Sequence, residues 1–545
     1  MFLAVMAACV SMTAVARCAD RFLIHWIGPQ GRGFAWPGGD IDGDGNGDLI
    51  LGSIAPIAPA NPAEVFIHSG LNGSLVHSWT PSIPTLWGFQ GNTDFEPAGD
   101  LDLDGFGDIA LSIMSPVPPL GAVIEIRSGF DGSVMAIIAA PAVSNASLIG
   151  SAIAGVGDLD GDGWPQLLIR GDYFLPSCAL GHGVYDFEAP GFGLQAFVNT
   201  WQCGQEFGNK IGRVDDVDGD GLADFYVGAP GTDVGGASDA GWIGVFSGAT
   251  GSLITAVSGT ATFDFVGGSV AEMSDVSGDG LPEVALVWSV NKISVRSLPS
   301  FSILYETTAA SLGAVQVLEV DTLGDADGDG SDDFLIRWRA SPGASEGISA
   351  ISGPTGTPIG SIGQSIPASI VYPWGGLGDV NGDGLGDFAA SPAVFPWVVL
   401  PPVALQSLWT PWTWPVTGGQ ATVYVSRNFD LVGAAAVGGS AQLEIVAPKR
   451  AGMTFQVVFA LEFVFPGTPL GPFLFPLVMD GLFWASLSAG IGGTLDPSGH
   501  GTVSVPIPND PALQGVVVQG SGVVYDPAGP LGIGCVLTQL PVAIQ

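Results

Sequence analysis

FGNKIGRVDDVDGDGLADFYVGAP, residues 207–230, places five aspartates between Asp215 and Asp224 and then runs directly into the apolar string FYVGAP. Like charges crowded this closely repel one another, and a cation among them is the simplest compensation. The core of the stretch, DVDGDGLAD from Asp216, recurs along the chain. Quoted from the first aspartate, the copies are DIDGDGNGD (40–48), DLDLDGFGD (100–108), DLDGDGWPQ (158–166), DVDGDGLAD (216–224), DVSGDGLPE (275–283), DADGDGSDD (325–333) and DVNGDGLGD (379–387). Seven copies at intervals of 50–60 residues mark a repeat protein, so the repeat unit sets the fold.

The chemistry of the nonapeptide is explicit. Side-chain oxygens at positions 1, 3 and 5 point inward from a tight loop, position 7 can offer its backbone carbonyl, and position 9 closes the shell with a carboxylate. A flexible cage of six or seven hard oxygens suits Ca²⁺ better than Mg²⁺ or zinc. Position 6 is glycine in every copy (Gly45, Gly105, Gly163, Gly221, Gly280, Gly330, Gly384), as a sharp turn around an ion requires. An EF-hand opens in the same way but needs a glutamate at position 12 and flanking helices. Here position 12 holds Leu51, Leu111, Ile169, Val227, Leu286, Ile336 and Ala390, all apolar and all set in strand-like runs such as DLILGS and DFLIRW. The EF-hand and dockerin readings fail there.

One whole period adds a Gly-rich apolar stretch before the loop and an alternating strand ending in Ser-Gly after it. EVFIHSGLNGSLV, VIEIRSGFDGSVM and WIGVFSGATGSLI carry hairpin turns at SGLNGS, SGFDGS and SGATGS. Each unit thus supplies about four short antiparallel strands, and four strands per radial repeat describe a β-propeller blade.

At this level of detail the unit resembles an FG-GAP repeat, the building block of the N-terminal propeller of integrin α subunits and of many secreted bacterial proteins. Phe207-Gly208 and Gly228-Ala229-Pro230 match the ends that name it. The resemblance spans roughly residues 20–400 and implies a calcium ion in the loop between the first two strands of each blade, on the face away from the ligand-binding surface. It implies side-chain ligands Asp40, Asp42, Asp44 and Asp48; Asp100, Asp102, Asp104 and Asp108; Asp216, Asp218, Asp220 and Asp224; and Asp325, Asp327, Asp329 and Asp333. The seventh loop would use Asp379, Asn381, Asp383 and Asp387. Position 7 carbonyls would come from residues such as Asn46, Phe106, Leu222, Ser331 and Leu385. Two copies depart. The third has Gln166 at position 9, leaving Asp158, Asp160 and Asp162, and is expected to be weak or empty. The fifth, with Asp275, Ser277, Asp279 and Glu283, is expected to be weaker than the complete loops.

Working outward, the 545 residues carry Asp+Glu 52 against Lys+Arg 14, a formal charge of −38. Such a polyanion repels nucleic acid and anionic lipid. The opening MFLAVMAACVSMTAVARCAD reads as a secretory signal over residues 1–19, cleaved after Ala16 or after Ala19, which makes the protein extracellular or cell-surface. No later run reaches the ~20 apolar residues of a membrane helix. Cys178 and Cys203 can pair or stay free, Cys535 reads as a buried thiol, and no CxxC supports a zinc site. The alternating strand FLIHWI (22–27) is expected to complete the seventh blade, whose last repeat strand lies near PWVVL (396–400).

The expected fold is therefore all-β, a seven-bladed propeller over residues 20–401 followed by a C-terminal β-sandwich-like domain over 402–545. The latter is built from ATVYVS, AQLEIVAP, MTFQVVFALEFVF, GTVSVPI and GVVVQGSGVVYDP. Trp412 and Trp414 alternate on one strand face, as a core contact or a sugar platform. Catalytic constellations are absent. The histidines His25, His68, His77, His182 and His500 form no metal-binding spacing, GASEG (343–347) has no following helix to make a nucleophile elbow, and Arg170-Gly171-Asp172 lies at the end of a strand. The expectation is a secreted interaction scaffold stabilised by up to seven Ca²⁺, recognising an unidentified protein or glycan; a carbohydrate-binding or carbohydrate-active protein is the alternative.

Overall fold

The computed structural model of the chain describes residues 22–27, 32–53, 65–70, 74–82, 95–114, 122–139, 146–175, 178–188, 191–203, 205–340, 346–366, 370–380, 382–392, 422–426, 429–432, 435–461, 463–470, 473–477, 481–514, 516–527 and 533–545. The signal segment, PWVVL, Trp412, Trp414 and Asn381 lie outside these residues.

Each nonapeptide joins the first two strands of a four-stranded antiparallel sheet. The fourth sheet is typical: Lys210–Val214, Asp224–Ala229, Trp242–Phe246 and Leu253–Ser258, paired in that order. Its second strand, DFYVGA, is buried at every position, whereas its fourth, LITAVS, is exposed or half-buried throughout. An apolar run without alternation is what a strand covered on both faces requires. The same gradient holds in the fifth sheet, from EVALVWS to SILYETT. Among the described residues the first strands of successive sheets pack against one another in order, and that of the seventh sheet packs on that of the first.

The seventh sheet is assembled from both ends of this region. Ile370–Gly378 pairs with Asp387–Pro392, Asp387–Pro392 pairs with Thr422–Ser426, and Phe22–Ile27 pairs along the outer side of Thr422–Ser426. FLIHWI thus takes its expected sheet. TVYVS, assigned from sequence to the C-terminal piece, joins the seventh sheet instead. Alternation makes it a strand, but only register shows which sheet it joins.

Beyond residue 428, Phe429–Val432, Ser440–Val446 and His500–Pro506 form a three-stranded sheet. Gly492–Thr494, Thr454–Ala460, Val517–Tyr525 and Ile533–Ala543 form a four-stranded one. Their inner faces share one apolar cluster containing Phe429, Leu443, Ile445, Phe455, Val457, Val524 and Leu537. Cys535 sits in it as a free thiol with 0% exposure. A nine-residue helix, Gly481–Ala489, was not expected: GLFWASLSA bears no charge and shows no one-sided apolar stripe. Among the described residues no helix is long and apolar enough to cross a membrane.

Candidate metal centre

Position 9 of every nonapeptide is the first residue of the second strand: Asp48, Asp108, Gln166, Asp224, Glu283, Asp333 and Asp387. One side-chain oxygen there accepts the backbone N–H of position 2 in all seven loops. The donors are Ile41 (2.8 Å), Leu101 (2.7 Å), Leu159 (2.6 Å), Val217 (2.7 Å), Val276 (2.8 Å), Ala326 (2.8 Å) and Val380 (3.1 Å). The side chains of those position 2 residues are all buried. Position 9 therefore has a structural partner in position 2 as well as an oxygen to offer an ion, and the apolar residue after the first aspartate of every copy is its sequence signal.

The other oxygen of the aspartates at position 9 reaches across the sheet end to the hairpin between strands three and four. It accepts from Gly70 N (3.1 Å), Gly129 N (3.0 Å), Gly248 N (3.0 Å) and Gly353 N (3.0 Å) in the first, second, fourth and sixth sheets. These are the glycines of the Ser-Gly turns. A Cβ there would stand 2.0–2.1 Å from the position 8 carbonyl oxygen of Gly47, Gly107, Ala223 or Asp332, so only glycine fits.

Position 1 gathers the loop. In the fourth loop Asp216 Oδ1 accepts from Gly219 N (2.6 Å) and Oδ2 from Gly221 N (2.8 Å), and Asp220 Oδ1 accepts from Leu222 N (2.9 Å). Asp325 and Asp379 hold the sixth and seventh loops in the same way, while Asp329 and Asp383 receive the position 7 amides of Ser331 and Leu385. Position 6 glycines lie at φ between +86° and +98°, the left-handed turn their sequence position demanded.

These bonds draw carboxylates together. Oxygens of Asp40, Asp42 and Asp48 lie within 4.8 Å of one another, as do those of Asp100, Asp102 and Asp108; of Asp158, Asp160 and Asp162; of Asp216, Asp218 and Asp224; and of Asp275, Asp279 and Glu283. Asp44, Asp104 and Asp220 stand beside these sets at position 5, and Ser277 donates its backbone N–H to Glu283 (3.3 Å). Burial pushes Asp48 and Asp333 up to about 8 and Asp108 up to about 6, and raises Asp224 and Glu283 as well. Asp40 Oδ1 and Glu283 Oε1 are buried with no hydrogen-bond partner. Crowded, buried and partly unpartnered carboxylate oxygens are the donor set a hard cation would fit. The third loop differs as its sequence implies: Gln166 keeps the bond to Leu159 but brings no charge.

Neighbouring loops touch. Gly107 N donates to Asp40 O (2.8 Å), Gly47 N to Asp379 O (2.9 Å) and Gly386 N to Asp325 O (2.6 Å). Among the described residues the nonapeptides and the Ser-Gly turns are thus gathered at one end of their sheets, and the connection from the fourth sheet to the fifth lies at the other end. At that other end, between the fourth and fifth sheets, Phe263 and Phe265 are 54% and 40% exposed with rings stacked at 5.7 Å. Asp264 anchors their loop by accepting from Thr260 N and Ala261 N (2.9 Å each).

The other sequence features find structural places. Arg170 is buried within a strand, Glu346 of GASEG pairs with Arg337 and Arg339, His77 Nε2 bonds Gly129 O (2.7 Å), and His68 is buried. Cys178 and Cys203 lie on adjacent strands of the third sheet.

No known protein-family profile matches the sequence. Among solved structures the chain is similar to one described as the structure of the Dos1 propeller, at 12% identity and a TM-score of 0.36, over 70% of this chain and 75% of that one.

Proposed function

We propose that the chain is a secreted, seven-bladed FG-GAP-type β-propeller with a C-terminal β-sandwich, stabilised by structural Ca²⁺ and acting as an adhesion or interaction scaffold. The observation that carries this is the repetition of one acidic loop, with the same internal hydrogen bonds, at the same end of each sheet. A catalytic ion needs an open coordination position. These loops instead supply oxygens from their own positions 1, 3, 5, 7 and 9, which favours an ion that ties strands rather than one that reacts. Positions 1, 3, 5 and 9 would hold it, with Gln166 leaving the third loop weaker than the complete loops.

The partner would be met at the opposite end, where Phe263 and Phe265 are exposed on a loop held by Asp264; aromatic side chains are enriched among the residues that carry binding energy at interfaces. The same pair favours the second reading, a glycan partner, because sugar rings stack on aromatic faces. Arrays of glycans and of extracellular-matrix proteins, probed with the wild type, Phe263→Ala/Phe265→Ala and Asp104→Ala in calcium, test the proposal. Binding lost in the double variant and kept in folded Asp104→Ala is expected. Binding lost in folded Asp104→Ala would make the ion a participant and overturn the scaffold reading.

A further inference from the structure

We propose that the seventh acidic loop is a socket for the chain's own Lys449 rather than a seventh ion site, and that the C-terminal sheets are seated on the ring through it. The contrast with the other loops rests on the calcium reading above. Lys449 lies in the short turn Pro448–Arg450, between strands Ser440–Val446 and Thr454–Ala460. Its Nζ is 2.8 Å from Asp379 Oδ2, the position 1 carboxylate that also accepts from Gly384 N (2.8 Å). The turn lies directly on the loop: a Cβ on Gly384 would be 2.9 Å from Lys449 N and 3.2 Å from Pro448 Cδ.

Burial sets this loop apart. Asp44, Asp104, Asp162, Asp220, Asp279 and Asp329, at position 5 of the first six loops, are exposed, while Asp383 at the same position is 0% exposed. The neighbouring sixth loop is touched only at its edge, where His500 Nε2 approaches Gly328 O (3.4 Å), and Asp329 and Gly330 stay exposed. Sequence and charge agree with the assignment. Loop seven has Asn381 at position 3, so its negative charge is smaller than that of a complete loop. In a chain with only 14 basic residues against 52 acidic ones, Lys449 pairs with this loop, while the adjacent Arg450 pairs with Asp526 (3.0 Å). An ammonium already held on Asp379 opposes a divalent ion on the same carboxylate, because the two like charges would be only a few ångströms apart. The Lys449 side chain is 50% exposed, so its charge can be removed without opening a core.

Native mass spectrometry of the full chain in saturating calcium, with Lys449→Gln, Lys449→Arg and the distant control Lys292→Gln, reads the ion count. Lys449→Gln should hold one more calcium than the wild type, and the other two should match the wild type. Equal non-zero counts in wild type and Lys449→Gln would overturn the socket while leaving the calcium reading intact. If no protein binds calcium, that reading falls, and the socket is decided by hydrogen exchange in EDTA. Residues 382–387 should then exchange at least several-fold faster in Lys449→Gln with other loops unchanged; unaltered exchange there would overturn it.

Discussion

Gln166→Ala isolates the structural duty of position 9 from any duty to an ion. Gln166 is 2% exposed and neutral, and its Oε1 accepts the buried amide of Leu159 at 2.6 Å. Truncation leaves that amide unpaired, which costs about 1–3 kcal/mol, and removes one buried methylene worth about 0.8 kcal/mol. Partial entry of water offsets some of this, so the expected loss is about 1–3 kcal/mol. Asp162→Ala in the same loop is the control: its side chain is exposed and accepts only the exposed Trp164 amide, so without calcium it should cost about 0.5 kcal/mol or less. Urea midpoints in EDTA and in calcium, with hydrogen exchange at Leu159 as a local readout, provide the assay. Gln166→Ala should lose the same stability in both buffers, because its loss does not pass through an ion. A loss below about 0.5 kcal/mol, or one seen only in calcium, would refute the reasoning about position 9.

Gly248→Ala should cost more than about 2 kcal/mol by urea midpoint, because the new Cβ would meet Ala223 O at 2.1 Å; a near-neutral result would contradict the packing of the Ser-Gly turn. Leu103→Gly should stabilise by up to about 1 kcal/mol, since Leu103 is held at φ 60° and is 53% exposed where the other loops carry glycine; a lower melting temperature would count against strain there. Burial raises Asp321 to about 6, with Lys210 pulling it down and Glu272 pushing it up. A carboxyl raised on folding stabilises fully below its unfolded value near 4 and loses that contribution as pH rises through about 6. Asp321→Asn should therefore gain melting temperature over the wild type between pH 5 and pH 7; a constant difference would sink this assignment.

The sequence made the repeat legible because its chemistry is local. Nine residues specify a loop, a glycine at its tightest point and a strand beginning at position 9, and the structure puts Asp224, Gly221 and Phe225 where that pattern requires. Long-range features were less legible. Nothing in ATVYVS says that Thr422–Ser426 pairs with Asp387–Pro392 and Phe22–Ile27, since alternation fixes a strand's faces and not its partners. The Ser-Gly turns were readable as hairpins, but the contact of Gly248 N with Asp224 spans 24 residues. Loop seven read as one more acidic loop, and its cover by Lys449 depends on a turn 70 residues further along the chain.

The central claim, that cations bound to these loops hold the sheets together, is tested most directly by thermal melting of the full chain in EDTA and in calcium. An ion that binds only the folded state at a hundred times its dissociation constant adds about 2.7 kcal/mol per site. Several such sites predict a large rise in melting temperature on adding calcium, reversed by chelation and not reproduced by magnesium at equal ionic strength. A melting curve that is the same in EDTA and in calcium would contradict the account.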